Sequence, residues 1–312
     1  MSTTYTPAST KPDKWLTGYI SVRAPELKHI YGSLQGPTSV SEVTSKFGRP
    51  TTEEVKTDHV ENTLRFLNAV DLVESPNGDI KDTVERINED SFEELPFEPR
   101  LLYHCNQQEG RQRHFVDVHQ ALMSEEDRTV SADRDDIRTV LKRETSYHSD
   151  YDLGWTDEKI NMWVILCEQI GLVSETDDGI VMSPCRALMQ DALTLAPKSS
   201  GEDSDYNHAP VEDVEFRHAL DWIQENLFTV YLDRSGSRRL HPAIADVLRN
   251  MEADGVLSLS APGDAKNEVK LPPSDLNEDG RGNRTSVTHV SINSRPDETA
   301  YQYPLDQLRT HQ

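Results

Sequence analysis

Cations are scarce in this chain, so the places where they gather are where its sequence could do chemistry. Of 312 residues, 55 are Asp or Glu and only 32 are Lys or Arg. Arg134, Arg138 and Lys142 nevertheless recur at every fourth residue, which sets them in one row on a helix. Arg234, Arg238 and Arg239 crowd into DRSGSRRLHP, where guanidinium forks can meet phosphate oxygens. Arg281 and Arg284 stand in DGRGNR. Such clusters point to contact with a polyanion, above all a nucleic-acid backbone. The sequence leaves a plainer alternative open at each. Asp135 lies three residues before Arg138, and Asp233 adjoins Arg234, so carboxylates can neutralise both groups.

A second set of residues could read base edges. In DHVENTLRFLNAV the apolar residues Val60, Leu64, Leu67 and Val70 mark one helix face, which leaves His59, Asn62, Thr63 and Arg65 to face outward. Asn suits adenine and Arg suits guanine in a major groove. The same residues would equally make an ordinary solvated surface. Catalytic signatures are missing: there is no P-loop, no dinucleotide glycine fingerprint, no nucleophile elbow and no HExxH. His114 and His119 are five apart, which does not place both on one helical face. His148, Asp150 and Asp152 gather in a stretch that reads as a polar connection rather than a cation site. Cys105, Cys167 and Cys185 are far apart with no CxxC pairing, as expected of small buried residues in a reducing compartment. The expectation is a protein with no catalytic activity, no cofactor and no metal.

The elements that carry these residues repeat. After the helix beginning at Asp58 come Leu72-Val73, a β-leaning pair, and Asn77-Gly78, a hairpin turn. One hundred residues on, Ile160, Val164, Cys167 and Ile170 repeat the helical face, Leu172-Val173 repeats the strand start, and Asp178-Gly179 replaces the turn. Asp58 and Thr156 are the expected N-caps, and Gly171 sits where a helix end wants a left-handed residue. A looser third copy runs from His241 to Leu259, with Ile244, Leu248 and Met251 as its stripe and Gly255 at its end.

A helix closed by Gly or Asp, then Leu-Val, then a hairpin resembles the last helix and wing of a winged-helix domain, a helix-turn-helix variant. The resemblance covers three segments and rests on pattern. It implies an α+β, mainly helical chain of tandem winged-helix-like domains with short β-hairpin wings. The expected layout is a flexible arm over 1–23, domains over 24–95, 96–197 and 213–295, a linker at 198–212 and a tail from 296. Within it, Asp82 to Glu94 is expected to extend helically and Leu227 to Leu232 to form a strand.

A charge of −23 would set an ordinary protein against DNA. Strong acidity with 11 Lys against 21 Arg resembles the proteins of salt-loving archaea, whose interior is very salty. At about 1 M salt the Debye length falls to about 3 Å, so overall sign stops deciding and local basic clusters become informative. The leading expectation is a cytoplasmic protein that binds double-stranded DNA, as a regulator or as the DNA-contacting subunit of a larger assembly. The alternative is a scaffold whose winged helices bind proteins. The helix around Trp163 is apolar nearly all round, with Met162, Ile165 and Leu166 joining its stripe, and suits a contact with another domain, a partner or a second copy. No apolar run reaches the length of a membrane span, and the N-terminus lacks the core of a secretory signal.

Overall fold

The computed structural model describes residues 15–52, 54–75, 82–87, 96–144, 154–196, 211–232, 239–261, 267–273, 286–294 and 301. The chain is α+β and mainly helical, 52% helix against 17% strand, with several small antiparallel sheets. A single 3-10 turn, Leu16–Gly18, precedes α1 (Ala24–Ser33). Next come β1 (Thr38–Ser39), α2 (Val40–Phe47), a ribbon of β2 (Arg49–Pro50) and β3 (Val55–Lys56), α3 (Asp58–Ala69), β4 (Val73–Glu74) and β5 (Thr83–Arg86). The sheet order is β1-β5-β4, so the last strand is central.

The same order returns. After α4 (Phe97–Gln107) follow α5 (His114–Leu122), β6 (Thr129–Val130), α6 (Arg134–Glu144), α7 (Asp157–Gln169), β7 (Ser174–Thr176) and β8 (Gly179–Val181). Their sheet runs β6-β8-β7, again with the last strand central. Then α8 (Arg186–Leu195) leads to the third unit: β9 (Val211–Glu215), α9 (Phe216–Asn226), α10 (Pro242–Ala253), β10 (Leu257–Ser260), β11 (Val269–Lys270), β12 (Ser286–Val287) and β13 (His289–Ile292). Its sheet runs β10-β13-β9, so the outer strand precedes the first helix instead of following it.

The three units share one junction. Asp71, Gly171 and Gly255 take φ of 57°, 77° and 72°. In each, the next amide donates back five residues: Leu72 to Leu67, Leu172 to Cys167 and Val256 to Met251, at 2.8–2.9 Å. The left-handed residue itself donates three residues back, to Asn68, Glu168 and Glu252. This paired pattern satisfies the last helical carbonyls and turns the chain sharply into the strand. The three expected helices therefore end in the same way, and each leads into an antiparallel strand. β4 pairs with β5 and β7 with β8, but β10 pairs with β13 and not with β11, so among the described residues the third helix, the second of its unit, lacks the expected hairpin.

Several expectations need correction. Thr83–Arg86 is a strand, not a helical extension, because it must fill the centre of the first sheet. Thr57, not Asp58, occupies the N-cap of α3, and its side chain makes no cap bond; Thr156 does cap α7, accepting from the Lys159 amide at 3.4 Å. The second hairpin turns on Asp177-Asp178, since Thr176 pairs with Gly179. Gly179 is needed for space instead: a Cβ there would lie 2.2 Å from the Val130 carbonyl of β6. Leu227–Leu232 carries only one isolated bridge, Tyr231 to Leu240. Strand β9 begins inside the expected linker. The Asn77-Gly78 turn lies outside the described residues.

One hydrophobic core runs through all three units. Helix α4 ties them together, lying against α8 and α9. Its His104 reaches the Val70 carbonyl at 3.0 Å, its Arg100 the Tyr31 hydroxyl at 2.9 Å, and its Asn106 the Glu225 carbonyl at 2.5 Å. The N-terminal 3-10 turn packs on α7, with the Leu16 amide donating to Gln112 and Thr17 bonded to His114.

Candidate nucleic-acid interface

The expected phosphate row on α6 does not stand free. Arg134 is half-buried and donates to Asn161 at 2.7 Å, to the Ala132 carbonyl at 3.0 Å and to Glu175 at 2.8 Å. Arg138 donates to the Trp155 carbonyl at 2.9 Å and pairs with both Asp135 and Asp157. These two arginines stitch α6 to α7 and β7. Only Lys142 in this row is exposed without an ion pair among the described residues. Arg239 is exposed but pairs with Glu126 of the second unit. Arg234, Arg238, Arg281 and Arg284 lie outside the described residues.

On α3 the outward set is smaller than the helical wheel suggests. His59 is buried and its Nε2–H donates to the Phe47 carbonyl at 3.0 Å, which locks the start of α3 to the end of α2. Thr63 is fully buried and donates to the His59 carbonyl at 2.8 Å. Both face inward because the N-terminal segment and α2 cover that side, which a single-helix pattern cannot register. Asn62 is half-buried and donates to the Ser21 hydroxyl at 3.0 Å. Arg65 is exposed and holds no ion pair or hydrogen bond among the described residues. Asp58 and Glu61 share its exposure.

The two helices with the same ending offer no comparable face. Every residue of α7 from Ile160 onward is buried or half-buried. Trp163, 1% accessible, donates its indole N–H to the Phe115 carbonyl at 2.8 Å. The apolar girdle of α7 is therefore an inter-unit contact, lying against the 3-10 turn and α1. Residues 241 to 245 at the start of α10 are buried as well.

Sequence spacing missed the groups that join the second and third units. Arg128 pairs with Asp246 and donates to the Pro273 carbonyl, while Arg249 lies 3.5 Å from the same Asp246. His241 caps α10 by accepting from the Ala243 amide at 3.1 Å and donates Nε2–H to the Glu125 carbonyl at 2.9 Å. His119 accepts weakly from the Thr229 amide at 3.4 Å, and burial, with the neighbouring His241, pushes its pKa down to about 3. It also missed the cations at the base of the β2–β3 ribbon. Arg49 and Lys56 are direct cross-strand partners, and Arg49 pairs with Glu26. No signal short of long-range pairing could have shown these.

Among the described residues no three His, Cys, Asp or Glu side chains are placed to hold a metal ion, and no helix is long and apolar enough to cross a membrane. Comparison with protein-family models, with curated proteins and with solved structures finds no match to this chain.

Proposed function

We propose that the chain is a cytoplasmic, non-enzymatic DNA-binding protein of tandem winged-helix units, in which the first unit contacts duplex DNA through α3. The supporting order is helix, strand, helix, helix, strand, strand in the second unit and the same in the first apart from the β2–β3 ribbon inserted between its second and third helices, with a third unit that keeps the helix-to-strand junction. The observation that carries the choice of α3 is accessibility. Of the three helices that end in this junction, α3 alone presents an exposed polar face along its length, with Arg65 unengaged among the described residues and Asn62 beside it. Lys46 and Lys56, both exposed, stand near the start of the same helix as candidate phosphate contacts. The second and third units then serve to hold the first, since their own helices are covered.

This narrows the expected interface. Arg134, Arg138 and Arg239 belong to internal ion pairs and are not proposed as phosphate contacts. An open groove along the Trp163 helix would favour the scaffold alternative, and basic clusters sharing one face would favour DNA. Trp163 is buried and Arg134 and Arg138 are engaged within the chain, so the DNA reading leans on α3 instead of on either criterion.

Fluorescence anisotropy at about 1 M KCl, where repulsion is screened, tests the reading with random and genomic duplexes. Molar salt also suppresses counterion release, so affinity must lean on base contacts and shape. Duplex binding that Arg65→Ala weakens at one base position, by about 1–3 kcal/mol for a good bidentate contact, is the expected result. Absence of binding to every duplex by the folded chain overturns it.

A further inference from the structure

Two consecutive residues of α8 hold the chain after it has left the third unit. Gln190 and Asp191 are both buried. Gln190 donates to the backbone carbonyl of Ser294, just past β13. Asp191 accepts from the Tyr301 hydroxyl at 2.8 Å. Tyr301 falls in the tail expected from 296, and it is the one residue of that tail that the structure describes.

The seat of its ring is assembled from separate parts of the chain. Lys28 of α1 places its ammonium 5.8 Å from the ring centroid and pairs with Glu98 of α4 at 2.8 Å. Glu98 is fully buried. Past the end of α7, a Cβ on Gly171 would lie 2.4 Å from the Cys185 sulfur and 3.9 Å from the Tyr301 ring, so thiol and ring line the same left-handed junction. Charge sets what this seat accepts. Burial, then Asp191, Cys185 and Glu98, holds the Tyr301 hydroxyl far above a phenol's ordinary pKa, so it stays a neutral donor. Its bond to the Asp191 carboxylate is charge-assisted. A ring without the hydroxyl leaves that bond unmade, and an anion in its place meets two buried carboxylates.

We propose that the C-terminal segment is a strap with Tyr301 as its peg, and that the seat formed by Lys28, Glu98, Gly171, Cys185 and Asp191 is a binding site selective for a neutral phenol. Seated, the peg joins α1 of the first unit to α4, to the end of α7 and to α8. Because α1 packs on α3, the strap secures the unit that carries α3. The inference stands apart from the DNA reading. The occupant is the chain's own tyrosine, brought back across the molecule by the Ser294 tether on the neighbouring residue of α8.

The test empties the seat and refills it. In full-length Tyr301→Gly, p-cresol supplies ring and hydroxyl, toluene the ring alone, and p-toluate an anion of similar shape. In molar KCl the variant should melt at least about 4 °C below wild type and exchange its α1 amides about tenfold faster. Added p-cresol should recover much of both losses, toluene clearly less and p-toluate none. Wild type, its seat filled, should not respond to p-cresol. Tyr301→Phe keeps the ring, so it should fold, melt below wild type and ignore p-cresol. Equal rescue by toluene and p-cresol reduces the contact to apolar packing and overturns the proposal. So does a p-cresol response in wild type as large as in Tyr301→Gly, which places the binding elsewhere. Wild-type melting and unchanged α1 exchange in Tyr301→Gly overturn the strap. Should Tyr301→Gly fail to fold, Tyr301→Phe decides, and a melting temperature equal to wild type overturns the role of the hydroxyl.

Discussion

Arg138 holds a backbone carbonyl and two carboxylates at once, while Arg65, on another helix of the same chain, holds none among the described residues. Residue type is identical and role is opposite. The Trp155 carbonyl bond fixes the loop that leads into α7, and a hydrogen bond to a charged group contributes about 1.5–3 kcal/mol at best. Asp135 and Asp157 are more than half exposed, so their pairs with Arg138 add little. Arg138→Ala is therefore expected to destabilise the fold by about 1–2 kcal/mol in urea titration and to leave DNA affinity alone. Arg65→Ala should do the reverse. If Arg138→Ala weakens DNA binding while stability is unchanged, the internal assignment fails.

His119 gives the residue scale a pH dependence. Its pKa falls from 6.5 to about 3 on burial, so it is neutral in the fold. Below pH 6.5 the unfolded chain takes up a proton that the folded chain refuses. Stability is thus fully present above pH 6.5 and declines as pH falls toward 3, by roughly 1.4 kcal/mol per pH unit for this one group. His241, also held below its ordinary value by burial, adds to the same slope. Denaturant midpoints measured between pH 7.5 and 5 should fall in the wild type and fall less in His119→Leu. Equal slopes would show that His119 does not stay neutral.

At the scale of elements, the helix-to-strand junction is the feature that the chain repeats most faithfully. Two of its three positions are glycine because a left-handed backbone costs an L-residue about 1–2 kcal/mol. Gly255 has nothing within 4 Å of its missing Cβ, whereas at Gly171 a Cβ would sit 2.4 Å from the Cys185 sulfur. Gly255→Ala is expected to cost about 1 kcal/mol, the backbone term alone. Gly171→Ala should cost clearly more, and chemical denaturation of the two variants measures the difference. Equal losses would mean that Cys185 moves aside freely. This junction was legible in the sequence because a left-handed turn restricts residue type. Leu67 with Leu72, Cys167 with Leu172 and Met251 with Val256 also place the apolar pair that such ends favour. The site was less legible, because its limits are set by partners far away in the chain. Glu175 reaches Arg134 across 41 positions, and Asp246 reaches Arg128 across 118. No helical spacing reveals either, nor the cover that turns His59 and Thr63 inward.

On the scale of the whole molecule, charge is the dominant quantity. With 55 acidic and 32 basic residues, an ion pair for every Lys and Arg would still leave 23 carboxylates without one. Salt acts on both populations in opposite directions. It weakens the exposed ion pairs, each contributing at most about 1 kcal/mol, and it relieves the repulsion among the remaining carboxylates. At 0.1 M salt the Debye length is about 10 Å, comparable to the distance between packed helices, so repulsion acts across unit boundaries. At 1 M it is about 3 Å, and carboxylates on neighbouring units scarcely sense one another. Those boundaries are where α7 and α10 are sealed, so loss of docking would expose apolar surface such as Trp163. Circular dichroism and tryptophan fluorescence in 0.1 M KCl are therefore expected to show partial loss of helix and a red-shifted emission, both reversed in molar KCl. A melting temperature that stays constant or falls as KCl rises would show that the ion pairs outweigh the repulsion. It would also remove the physical ground on which so acidic a chain can approach a DNA backbone.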